Sequence, residues 1–78
     1  MTFSIRRVNA IGNVFWLGLR GNWYIEWQSG IGGYKLQTYK TRKGAVRAAE
    51  AAAKAWPSQT VSVLDSDKRV VETFSYNG

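Results

Sequence analysis

The stretch from Thr41 to Trp56 constrains the fold more than any other part of the chain. It carries seven alanines (Ala45, Ala48, Ala49, Ala51, Ala52, Ala53 and Ala55), and no glycine follows Gly44 within it. Alanine loses no side-chain entropy on entering a helix and ranks first among helix formers. Thr41 is placed to cap the first turn, its hydroxyl accepting from a free backbone N–H. Pro57, the single proline, disfavours helical geometry at Trp56 and cannot continue the ladder. At about 100° per residue, Lys43, Arg47, Glu50 and Lys54 fall in one stripe, and Ala45, Ala49, Ala52 and Trp56 fall roughly opposite. The pattern predicts one amphipathic helix with a basic outer stripe. Its inner face of small side chains lets it lie close on a sheet and leaves room there for bulky Trp, Ile and Leu.

The flanking segments read as strands. Glycine-bearing turns at Asn9–Asn13, Arg20–Asn22 and Ser29–Gly33 separate runs rich in aromatic and β-branched residues: Thr2–Val8, Val14–Leu19, Trp23–Gln28 and Tyr34–Lys40. Arg20-Gly21-Asn22 is short enough for a tight hairpin. Trp23, Ile25 and Trp27 share one face of their strand, and Tyr34, Leu36 and Thr38 share one face of theirs. After Pro57, Thr60–Asp65 and Arg69–Tyr76 form a second hairpin through the turn-prone Asp65-Ser66-Asp67-Lys68. The expectation is an α+β domain over residues 1–78: an antiparallel sheet of five or six strands, one helix on one face, and Thr2–Val8 as the least evident strand.

With 78 residues and a mass of 8.8 kDa, one core is all that the chain can build. A domain this small buries roughly 60–65% of its unfolded surface. Cysteine and histidine are both absent, which excludes disulfides, Ser–His or Cys–His nucleophiles and most transition-metal sites. The five carboxylates are Glu26, Glu50, Asp65, Asp67 and Glu72. Glu50 lies between Arg47 and Lys54 at ion-pair spacing. Asp65 and Asp67 sit in a turn with no third ligand at calcium-loop spacing. No nucleophile, base and oxyanion site come together, so the expectation is a protein without catalysis, cofactor or metal. Ser29–Gly33 lacks the Lys-Ser/Thr of a phosphate loop. No run approaches the roughly 20 apolar residues of a membrane span, and the N-terminus lacks the order of a secretory signal; cytoplasmic residence is the default.

Charge is the strongest functional signal. Eleven Lys and Arg stand against five acids, a formal net charge of +6. Lys35, Lys40, Arg42, Lys43, Arg47 and Lys54 are offset only by Glu50 within their stretch. Arg6 and Arg7 add a doublet. Such a balance favours an anionic partner, although cations on a helix exterior also serve solubility alone. Tyr24, Tyr34 and Tyr39 lie in the same region, available for stacking on bases or filling an interface pocket. Four Trp and four Tyr exceed what one helix can cover. Trp23, Trp27 and Trp56 can share the core. Phe15 and Trp16 point to opposite faces of one strand, so one of them should be off the core, either under the N-terminal strand or as a partner or homodimer surface.

Gly21-Asn22-Trp23-Tyr24-Ile25, then Gly33-Tyr34-Lys35-Leu36, then Tyr39-Lys40-Thr41-Arg42-Lys43-Gly44-Ala45 opening the helix resemble the N-terminal DNA-binding module of phage integrases, related to plant AP2 domains. In that family the open sheet face enters the major groove. The resemblance implies that Tyr24, Lys35, Gln37 and Tyr39 face DNA. Glu26, the lack of a base-reading Arg and Gly44 in place of an acid depart from the family pattern. Over Gly21–Tyr76, size and architecture are also similar to small ββαββ proteins of bacteria and phages, and to stand-alone phage inhibitors such as anti-CRISPR proteins.

The sequence thus leads to a binding protein that docks on nucleic acid, duplex DNA first, through one basic surface including Arg6, Arg7, Tyr24, Lys35, Gln37, Tyr39, Lys40, Arg42, Lys43, Arg47 and Lys54. The alternative is a phage or mobile-element inhibitor that binds an acidic surface of a host defence complex. No membrane role is expected, since the helix's inner face is Ala rather than Leu and Phe.

Overall fold

The computed structural model describes residues 1–25 and 36–76. Its elements are β1 (Ser4–Val8), β2 (Val14–Leu17), β3 (Trp23–Ile25), α1 (Arg42–Ala55), β4 (Thr60–Leu64) and β5 (Val70–Ser75). The strands make one antiparallel sheet in the order β3-β2-β1-β4-β5. α1 packs on one face of it, so the architecture is α+β with a single helix on an antiparallel sheet.

The least evident strand in the sequence lies at the centre. β1 pairs with β2 on one side and with β4 on the other. Partners directly opposite one another share a face. The registers therefore place Ile5, Arg7, Phe15, Leu17, Trp23, Val61, Val63 and Phe74 on the helix side, and Ser4, Arg6, Trp16, Tyr24, Ser62 and Thr73 on the far side. The expected strand Tyr34–Lys40 is not continuous in its described part. Leu36 makes an isolated bridge with Gly18, and Tyr39 another with Phe3. Tyr34 and Lys35 lie outside the described residues, as do Glu26, Trp27 and Gln28 of the expected strand Trp23–Gln28.

α1 forms where its composition places it. The Thr41 hydroxyl accepts from the Gly44 N–H at 3.1 Å, and Trp56 is the C-cap, its N–H donating to the Ala52 carbonyl. Thr41→Ala should destabilise the domain by about 1 kcal/mol, measured by urea unfolding. Ala45, Ala49 and Ala53 are fully buried against Ile5, Val61 and Val63. They stand four residues apart, one above the other on the helix. Ala53 thus takes the buried place expected of Ala52, which is half-buried. The expected tryptophan core is also corrected. Trp56 is 39% exposed, Trp23 packs at the edge of the core, and Trp27 lies outside the described residues. Alanine side chains bring the helix so close to the central strands that no indole fits between them.

Three hairpin turns share one geometry. Asn9, Gly18 and Asp65 each donate their N–H to the carbonyl four residues on, and each accepts at its own carbonyl from the N–H three residues on. The third residue after each is left-handed: Gly12 (φ 88°), Gly21 (φ 81°) and Lys68 (φ 64°). Asn9 Oδ1 accepts from the N–H groups of Ile11 and Asn13, and Asp65 Oδ1 from those of Asp67 and Arg69. These side chains fix their turns through local bonds.

Candidate functional site

The outer face of α1 carries the expected stripe. Lys43, Arg47, Glu50 and Lys54 are all exposed. Glu50 accepts a hydrogen bond from the Tyr76 hydroxyl at 3.3 Å. Among the described residues the single ion pair is Arg42–Glu72 at 2.9 Å, so Lys43, Arg47 and Lys54 keep their charge unpaired there. Lys40 is exposed just ahead of the cap.

Other candidates are committed elsewhere. A register shift at Val63/Leu64 leaves Val71 as the extra residue on β5, and Arg42 Nη2 donates both to the Val71 carbonyl and to Glu72 Oε2, each at 2.9 Å. The bulge thus gives the Arg42 guanidinium a partner within the fold while its side chain stays exposed. Tyr39 exchanges backbone bonds with Phe3 and packs against the core, where burial pushes its phenol above the ordinary range. It is not on the face of Tyr24, which pairs with Trp16 on the far side and lies across Gly18. The single face expected for Tyr24, Gln37 and Tyr39 is therefore split. Gln37 is half-buried, its amide donating to the Thr38 carbonyl and its backbone N–H to Leu17. Lys35 lies outside the described residues.

The arginine doublet is the main correction. Alternation sends Arg7 to the helix side, where it is 5% exposed and unavailable to a phosphate backbone. Its guanidinium carbon lies 4.2 Å from the Phe15 ring centroid, 4.8 Å from that of Trp23 and 3.9 Å from that of Trp56. Its Nη1 donates to Gln59 Oε1. Desolvation lowers its pKa, and Nε is buried without an acceptor. Ring faces attract this cation, which no carboxylate neutralises among the described residues. Arg7 and the three rings form a structural cluster rather than a docking surface.

Arg6 goes to the far side. Its guanidinium carbon lies 6.0 Å from the Trp16 ring centroid, and the Lys68 ammonium lies 4.9 Å from the same centroid. Trp16 is off the helix-side core, as expected of one residue of its pair, yet only 7% exposed. It is not an open aromatic patch. Arg6 and Lys68 thus lie on the sheet face opposite the one that carries α1 and its stripe. Sequence reasoning singled out neither Lys68 nor the ring contacts. Both depend on the register of the sheet, which no single segment of the sequence shows.

Among the described residues no group of His, Cys, Asp or Glu is arranged to hold a metal ion, and no helix is long and apolar enough to cross a membrane. No protein-family model, curated protein or solved structure matches the chain.

Proposed function

We propose that the chain is a non-enzymatic binding module that docks on nucleic acid, duplex DNA first, through the outer face of α1. The supporting observation is the row of Lys43, Arg47 and Lys54, exposed on one helix face and outside any ion pair among the described residues, with Lys40 exposed beside it. The row's one carboxylate, Glu50, accepts a hydrogen bond from the Tyr76 hydroxyl. Lys43 and Lys54 are separated by about 16 Å of helix axis at 1.5 Å per residue. That equals the rise of about five base pairs at 3.4 Å each. The major groove, about 12 Å wide, admits an α-helix. Lys and Arg act here on phosphates, so affinity should depend little on base sequence.

The test is a gel-shift titration of the parent and of K43E/R47E/K54E. At 50 mM salt the triple variant should bind at least about 100-fold more weakly, since three phosphate contacts become repulsions. Equal binding by both proteins, or no binding by the parent, rejects the reading. A stoichiometric protein partner recovered from nuclease-treated lysate, with no DNA bound, would support the inhibitor reading instead.

A further inference from the structure

Two of the three equivalent hairpins put glycine at the left-handed position, and the third puts Lys68 there. Glycine takes that conformation freely, while a residue with a Cβ is strained in it. Strain of this kind points to use of the side chain. The Lys68 side chain reaches the far face of the sheet, where its ammonium and the Arg6 guanidinium both contact the Trp16 ring. Neither cation has a carboxylate partner among the described residues. Arg6 Nε is buried without an acceptor. Two cations near one ring, with no carboxylate to offset them among the described residues, raise the local potential, and an anion bound beside them would lower it. The Ser62 and Thr73 hydroxyls, 3.5 Å apart, lie on the same face, Ser62 directly opposite Arg6.

We infer that Arg6 and Lys68, held against Trp16, form a phosphate-binding site on the sheet face opposite the helix. The site stands independently of the helix stripe, because the two faces are separated by the sheet. Arg6 offers planar paired donors to two phosphate oxygens, and Lys68 a point charge to a third. The ligand is a phosphate group, either free or as a phosphodiester of nucleic acid.

The experiment is an NMR titration of the full chain with inorganic phosphate and, separately, with a short DNA duplex. It follows the Trp16 indole N–H, identified by its loss in Trp16→Phe. K43E/R47E/K54E serves as background to silence the helix face. Phosphate should shift the indole signal saturably. Lys68→Gly and Arg6→Gln should each weaken that response at least tenfold, and Lys68→Arg should retain it. Lys68→Gly should also keep or raise the melting temperature, since it removes the strained residue. A response to the duplex alone assigns the site to phosphodiesters, and a response to both assigns it to the phosphate group itself. No indole shift with either ligand, or a shift that survives Lys68→Gly unchanged, overturns the inference. Loss of DNA binding in the triple variant leaves it untouched.

Discussion

Arg7→Ala is expected to lower the unfolding free energy by about 3 kcal/mol, from lost ring contacts and the cavity left among them. A domain of this length has only about 4–12 kcal/mol in hand. Phe15, Trp23 and Trp56 converge on one guanidinium that is 5% exposed, so truncation empties the junction between the central strand and the end of the helix. Arg7→Met separates volume from charge. It refills the space without a buried cation and should stay within about 1 kcal/mol of the parent, because apolar replacements of buried charges are often neutral. Arg7→Glu should leave no folded population, since it buries a carboxylate against three ring faces with no cation to pair it among the described neighbours. Urea unfolding followed by circular dichroism reads all three. If Arg7→Ala costs under half a kcal/mol, on the order of a surface substitution, the cluster is not structural.

Ala49→Glu is expected to abolish folding, and Ala49→Leu to cost about 1–3 kcal/mol through overpacking. Ala49 is the middle of the three fully buried alanines and faces the buried Ile5, Val61 and Val63. Ala49 is fully buried among apolar side chains, so a longer side chain must displace them and a carboxylate there loses its water. Ala51→Glu, on the exposed side of the same turn, is the control and should change stability by under about half a kcal/mol. Thermal melts of the three variants decide whether helix and sheet are as close as the alanine file requires. Tolerance of Ala49→Glu would contradict that packing.

The helix was legible because its signals are local. Seven alanines, a Thr cap and a Pro stop act within a few residues of where they stand. The turn at Gly21 and the second hairpin were legible for the same reason. The centre of the sheet was not. Ser4-Ile5-Arg6-Arg7-Val8 has a charged doublet where a central strand usually has apolar residues, and while β2 follows it through a short hairpin turn, its other partner β4 comes from a distant part of the chain. The doublet reads as surface charge, and the surplus aromatic reads equally as a partner surface or as packed under the N-terminal strand. In the fold the two surpluses meet each other: Arg6 with Trp16, and Arg7 with Phe15, Trp23 and Trp56. Such pairing needs the register, which no single strand contains. The stripe Lys43, Arg47 and Lys54 followed from helical spacing alone. The engagement of Arg42 by Glu72, thirty residues on, depends on a bulge in β5 that the sequence does not announce.

The helix stripe as a phosphate contact is tested most directly by the salt dependence of DNA binding. Three phosphate contacts imply a slope of about −2.7 in log K against log salt, so affinity should fall roughly 40-fold between 50 and 200 mM. Removing one cation as Arg47→Gln should reduce the slope by about 0.9. A flat salt dependence in the parent, or an unchanged slope in Arg47→Gln, would contradict docking through this face.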